Sequence, residues 1–139
     1  MAGKCKIASC QIPIRVRYCE VDRQNAVHHS VYAQYFEIGR TELLRVNGYD
    51  YRTLEDEGLM LVVARLECRF KAPARYDDEL LLTTSAGRVD RARLEHIYTL
   101  ERPADKQLIA EGKTVLVHVT REGKLGPMPE VFLPEGSEI

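Results

Sequence analysis

Asp22-Arg23-Gln24-Asn25-Ala26-Val27-His28-His29-Ser30 runs straight into Val31-Tyr32-Ala33-Gln34-Tyr35-Phe36-Glu37-Ile38-Gly39-Arg40-Thr41-Glu42-Leu43-Leu44-Arg45. The first nine residues read as a polar loop carrying one carboxylate and two imidazoles, ended by Ser30 as a helix cap. In the helix that follows, Tyr32, Tyr35, Phe36, Gly39 and Leu43 recur at helical spacing. Val31, Ile38, Leu44 and Val46 spread apolar surface around its flanks. Such a helix is normally enclosed by other elements. Its N-terminus offers unpaired N–H groups and the positive end of the helix dipole. A carboxylate a few residues upstream of those amides is a layout suited to a carbonyl.

Working outward, residues 11–20 alternate, with Ile12, Ile14, Val16 and Tyr18 on one face and Arg15, Arg17 and Cys19 on the other, as in a half-buried strand. Pro13 suits an edge strand, where a missing N–H is tolerated. Asn47-Gly48 ends the long helix. A short helix capped by Asp50 and stopped at Gly58 fits next. From Leu61 the period is two, with Val62, Ala64, Leu66, Cys68 and Phe70 opposite Arg65, Glu67, Arg69 and Lys71. Three further strands are expected over residues 79–89, 93–101 and 107–120, joined by short turns of the kind that link antiparallel neighbours. The expected class is α+β: an antiparallel sheet wrapped around one long central helix. A single sheet layer over one helix is thin, so pairing with a second copy is expected.

The 139 residues fit one domain, with residues 1–10 and 127–139 expected to be peripheral. A net charge of −1 gives no general attraction to nucleic acid or to an anionic membrane. No apolar run approaches the roughly 20 residues that span a bilayer, and residues 1–10 lack the apolar core of a secretion signal. The expected location is cytoplasmic. Cysteines 5, 10, 19 and 68 form no C-x-x-C pair and are expected to be reduced, with Cys19 and Cys68 as small apolar fillers in strands.

Three blocks then carry a resemblance: Val16-Arg17-Tyr18-Cys19-Glu20-Val21-Asp22, Val27-His28-His29-Ser30-Val31-Tyr32, and Phe36-Glu37-Ile38-Gly39-Arg40-Thr41-Glu42-Leu43-Leu44. Together they resemble the hotdog-fold acyl-CoA thioesterases of the 4-hydroxybenzoyl-CoA thioesterase group. Phe70-Lys71-Ala72-Pro73-Ala74-Arg75-Tyr76-Asp77-Asp78-Glu79-Leu80 is similar to that family's segment after the second strand. The resemblance implies a hotdog fold, a homodimer or homotetramer with active sites at the dimer interface, and a thioester of coenzyme A or of acyl carrier protein as substrate. It implies no metal and no cofactor, coenzyme A entering only as part of the substrate. Asp22 matches the family's essential loop carboxylate. His29 matches the helix-start residue whose main-chain N–H holds the thioester carbonyl. Gln24, Asn25 and Ala26 depart from the family's frequent small residues, and His28 stands where many relatives carry Tyr or Trp.

Hydrolysis of a thioester needs an attacking oxygen, which Asp22 can supply as general base for water or as direct nucleophile. It also needs donors for the oxyanion. The bland alternative for Asp22 is a turn bond to nearby backbone. The His29 imidazole either orients substrate or fills space. His28, Tyr32, Glu37 and Arg40 are the expected substrate-binding residues, with a structural role as the alternative for His28 and an ion pair as the alternative for Glu37 and Arg40. Two adjacent histidines with no third ligand make a poor metal site. His96 and His118 are expected to be ordinary strand histidines. Lys71, Arg75, Arg88, Arg91 and Arg93 are either solvated charges or a docking rim for CoA phosphates. Two other classes stay open: a dehydratase acting on 3-hydroxyacyl thioesters, and a non-catalytic acyl-thioester-binding module.

Overall fold

The computed structural model describes Gly3, Lys4 and residues 9–132. Alternating apolar and polar residues give the long strands: β3 (Met60–Phe70), β4 (Glu79–Val89), β5 (Leu94–Arg102) and β6 (Gln107–Val119). Three shorter strands complete one antiparallel sheet, namely β1 (Gly3–Lys4), β2 (Cys10–Arg15) and β7 (Leu125–Gly126). The order is β1-β4-β5-β6-β3, with β2 continuing the β1 edge beside β4 and β7 beside β6. The helices are α1 (Val31–Val46) and α2 (Tyr51–Asp56). No helix among the described residues is long and apolar enough to cross a membrane.

The first expected strand is shorter than its alternation suggests. β2 stops at Arg15, the Val16 N–H makes one more bond to the Asp78 carbonyl at 2.9 Å, and the chain then turns through a 3-10 segment at Tyr18–Glu20. Cys19 is therefore exposed on that turn rather than filling a strand. Cys10, Cys19 and Cys68 are all free thiols, and Cys5 lies outside the described residues. Pro13 sits in β2, whose only partner is β4, so its missing N–H faces the open edge.

β3 carries a bulge between Val63 and Arg65. Register partners share a face, and Val63 lies opposite buried Leu116 while Leu66 lies opposite buried Thr114. The extra residue, Ala64, switches the parity. The inward row is Leu61, Val63, Leu66, Cys68 and Phe70, correcting the expected row that held Val62 and Ala64.

α1 ends as expected, with Gly48 at φ +87°, where glycine is favoured. The Asp50 side chain accepts from the Arg52 N–H and caps α2. The inner face of α1 packs on β2 and β4 in two clusters. One holds Val31, Tyr32, Tyr35, Phe36, Leu82 and Tyr98, and the other Leu43, Leu44, Val89 and Leu94. Met128 and Phe132 also belong to the second cluster, 2% and 0% exposed. Met128 and Phe132 are thus core, correcting the expectation of a peripheral tail from residue 127, and the Met128 N–H bonds the Arg91 carbonyl. Residues 133–139 lie outside the described ones.

The sheet does not enclose α1 on all sides. Ile38 and Val46 on the helix, and Val63, Leu66 and Phe70 on the inward row of β3, remain between 43% and 60% exposed. The edge strand β3 and the neighbouring flank of the helix form an open apolar flank.

Candidate active site

A short stem builds the site. The Val21–Val27 bridge pins two antiparallel stretches, extended by bonds from Asp22 N to Ala26 O (2.8 Å) and from His28 N to Glu20 O (2.9 Å). Residues 22–26 form a tight loop at one end, and α1 starts from the other. Asn25 takes φ +60°, a left-handed conformation that Asn tolerates, so it does the work of a glycine here. A second clamp comes from the segment after β3. Arg75 Nη1 donates to the Gln24 and Asn25 carbonyls, Tyr76 N–H to Asn25 Oδ1, and Val27 N–H to the Ala74 carbonyl.

Asp22 is exposed, and its two oxygens differ. Oδ1 accepts from Gln24 N–H (2.9 Å) and Ala26 N–H (3.2 Å), which is the turn bond expected of a loop aspartate. Oδ2 has no partner among the described residues. The carboxylate borders an open hollow walled by Tyr18, Val21, Arg23, Asn25 and Tyr76, with the two tyrosine rings edge to face at 5.5 Å.

At the helix start, Ser30 does not cap with its side chain. Its backbone is already helical (φ −68°, ψ −21°), and its hydroxyl lies 2.8 Å from His28 Nδ1. The Ser30 N–H also donates to that nitrogen, at 3.2 Å. Val31 N–H bonds the His28 carbonyl. With His28 N–H on Glu20, every amide from His28 to Val31 has an acceptor except that of exposed His29, which has none among the described residues. The two imidazoles lie against each other with centroids 4.1 Å apart and planes tilted by 32°. Both stand outside the hollow beside Asp22: they share its stem, not its cavity.

The expected substrate-binding residues scatter. Tyr32 is 4% exposed and packs against Tyr35 and Phe70, because its spacing puts it on the inner face of α1. Glu37 and Arg40 form no ion pair; Glu37 is exposed, and Arg40 turns to the Tyr98 hydroxyl at 3.5 Å. They do line one hollow together, with Thr41, Tyr51, Glu55 and Leu61. His96 is buried on β5 and His118 lies on β6. Burial, then the Arg40 charge, lowers the His96 pKa to about 3, so its ring is neutral near pH 7.

The five basic residues do not make one rim within a chain. Arg75 is spent on the loop carbonyls, and Lys71 stands just beyond β3. Arg88 and Arg93 line an outer-face hollow with Asp90, Glu95 and Lys113, and Arg91 lies on the turn between them. At about 3.3 Å per residue along β4, Arg88 is roughly 30 Å from the Glu79 end beside the loop.

One residue given no role from sequence proves central. Glu20 is 6% exposed, and its carboxylate accepts from Arg17 N–H (2.7 Å), Arg17 Nε (3.2 Å) and the Tyr35 hydroxyl (2.9 Å). Arg17 Nη2 adds an ion pair at 3.1 Å. The Tyr35 phenol is raised well above its ordinary range, first by burial and then by this carboxylate. The available signal was Tyr35 itself: a buried tyrosine hydroxyl needs an acceptor. Among the described residues no cluster of His, Cys, Asp and Glu is arranged to hold a metal.

Comparison with known proteins matches this geometry to a family. The family model described as thioesterase-like superfamily matches residues 16–135. The acyl-CoA thioesterase YbgC of Haemophilus influenzae is 32% identical over 117 residues, 84% of this chain and 84% of that protein. The crystal structure of a hypothetical protein from Aquifex aeolicus superposes with a TM-score of 0.82 at 30% identity, over 87% of this chain and 94% of that one. A 4-hydroxybenzoyl-CoA thioesterase, solved with 4-hydroxybenzoyl-CoA, has a TM-score of 0.80 at 17% identity, over 88% of this chain and 94% of that one. That last likeness is one of fold.

Proposed function

The chain belongs to the thioesterase-like superfamily, as a hotdog-fold thioester hydrolase, and we propose that it cleaves acyl-CoA with Asp22 driving attack and the His29 main-chain N–H holding the oxyanion. The observation that carries the reading is the pair of vacancies on one stem. Asp22 Oδ1 is held by the Gln24 and Ala26 amides, and the His28, Ser30 and Val31 amides are all engaged, while Asp22 Oδ2 and His29 N–H meet no partner among the described residues. One is a free base or nucleophile and the other a free donor at a helix start, the two things a thioester carbonyl needs. Attack forms the C–O bond, the carbonyl oxygen takes the negative charge beside the His29 amide, and the C–S bond then breaks to release CoA thiolate. Water attacks the acyl carbon if Asp22 serves as base. If Asp22 attacks itself, water then cleaves the mixed anhydride. Neither route calls on a cofactor.

The acting unit in this reading is a homodimer. The open flank of β3 and α1 suits a second copy, which would close a site that a single chain leaves spread over separate hollows. Free thiols at Cys10, Cys19 and Cys68 accord with a reducing, cytoplasmic setting.

A thiol-release assay over a panel of acyl-CoAs, with Asp22→Asn alongside, tests the reading. Asn keeps an Oδ1 acceptor for the Gln24 and Ala26 amides, so the variant should melt like wild type. Its kcat should fall by at least about 10²-fold. Turnover near that of wild type would reject the assignment. Product without free thiol would mark a dehydratase, and acyl-CoA binding without turnover a binding module.

A further inference from the structure

We propose that Glu20 is a positioning residue for this hydrolysis, its buried carboxylate and its main-chain carbonyl together setting where Asp22 stands relative to the His29 amide. The inference rests on the functional reading above and adds a residue to it. Glu20 lies two residues before Asp22, at the root of the stem. Its carbonyl accepts the His28 N–H at 2.9 Å, fixing the residue just before the free amide. Its side chain holds Tyr35, one turn into α1, at 2.9 Å, and Arg17 on the incoming chain through three contacts of 2.7–3.2 Å. One residue thus ties the strand side of the loop to the helix side, under both candidate groups.

The cost of the arrangement argues for a purpose. A carboxylate this buried is unfavourable unless it is fully bonded, and a site that needed only packing would be served by an apolar side chain. Here the four contacts match the carboxylate's capacity as an acceptor. The outer clamp, Arg75 on Gln24 and Asn25, is exposed by contrast. The backbone bonds of the stem and of the Ala74 clamp fix the loop's path, and the Glu20–Tyr35 bond is the side-chain tie from the root of the stem to the body of α1.

Steady-state kinetics of the full chain on its best acyl-CoA tests this, with Glu20→Gln, Tyr35→Phe, the double variant and Asp22→Asn. Tyr35→Phe removes one hydroxyl and keeps the ring, so it should fold even where Glu20→Gln does not. The expected result is a kcat loss of about tenfold to 10²-fold with KM within about threefold, the effect of misplacing reacting groups. The double variant should be no worse than the poorer single, because both cut the same tie. A folded Tyr35→Phe with kcat within about twofold of wild type, or with only KM changed, overturns the proposal while loss of activity in Asp22→Asn leaves the hydrolase reading standing. Full activity in Asp22→Asn overturns that reading, and this proposal with it.

Discussion

At Asp22 the two oxygens stop being equivalent once Gln24 and Ala26 donate to one of them. The turn bond and the proposed chemical role, which compete as readings of the sequence, are compatible in one side chain: Oδ1 makes the bond and Oδ2 is left for the proposed attack. A similar division holds at His29, where the proposed work is done by the main chain. His29→Ala should therefore keep kcat within about tenfold, while His29→Pro, which has no N–H to offer, should lose about 10²–10³. Steady-state kinetics on circular-dichroism-checked protein distinguishes the two. The Asp22 loop and the helix start were legible because both depend on local spacing. Ser30 was misread because its hydroxyl is turned to the His28 ring, two residues away, instead of to the amides of the first turn. Glu20 went unnoticed because its partner Tyr35 is fifteen residues off, a pairing that only the folded stem creates.

Among the elements, α1 and β4 were read closely and β3 was not. β4 alternates along its length, whereas β3 opens with Met60-Leu61-Val62-Val63-Ala64, an unbroken apolar run in which no parity can be seen. The bulge at Ala64 hides in that run. Gly39 shows how tightly α1 sits on the sheet: a Cβ there would meet Thr84 Oγ1 and Leu82 Cδ2 well inside contact distance. Ala would gain about 1 kcal/mol of helix propensity, against about 1–3 kcal/mol for overpacking. With a Cβ at these distances, the upper end of that cost applies, and Gly39→Ala should be destabilised by about 2 kcal/mol net in urea denaturation. A variant as stable as wild type would mean that β4 yields easily to the helix. The burial of Met128 and Phe132 was missed for another reason. Met128 stands between two prolines and Phe132 in a three-residue apolar run, too short for a period to mark either as core.

For the molecule as a whole, the sequence foresees the layers but not where the cover is missing. α1 lies toward β2 and β4, leaving Val63, Leu66 and Phe70 on the inward row of β3 about half exposed. Leu66, 48% exposed on that row, tests the proposed pairing. Leu66→Asp should elute as a single chain in size-exclusion chromatography with light scattering, with thioesterase turnover at least about tenfold lower. Because the side chain is half exposed, its own folding should change little, about 0.5 kcal/mol. An unshifted mass would place the interface elsewhere.

That lopsided cover has a kinetic corollary. If each half of the flank finds its lid only on another copy, turnover per chain is not a constant but a function of how much protein is in the tube. Diluted below the self-association constant, specific activity should fade, and it should return on concentrating the same sample. The melting point should climb with the logarithm of protein concentration, as mass action requires of any fold stabilised by its own twin.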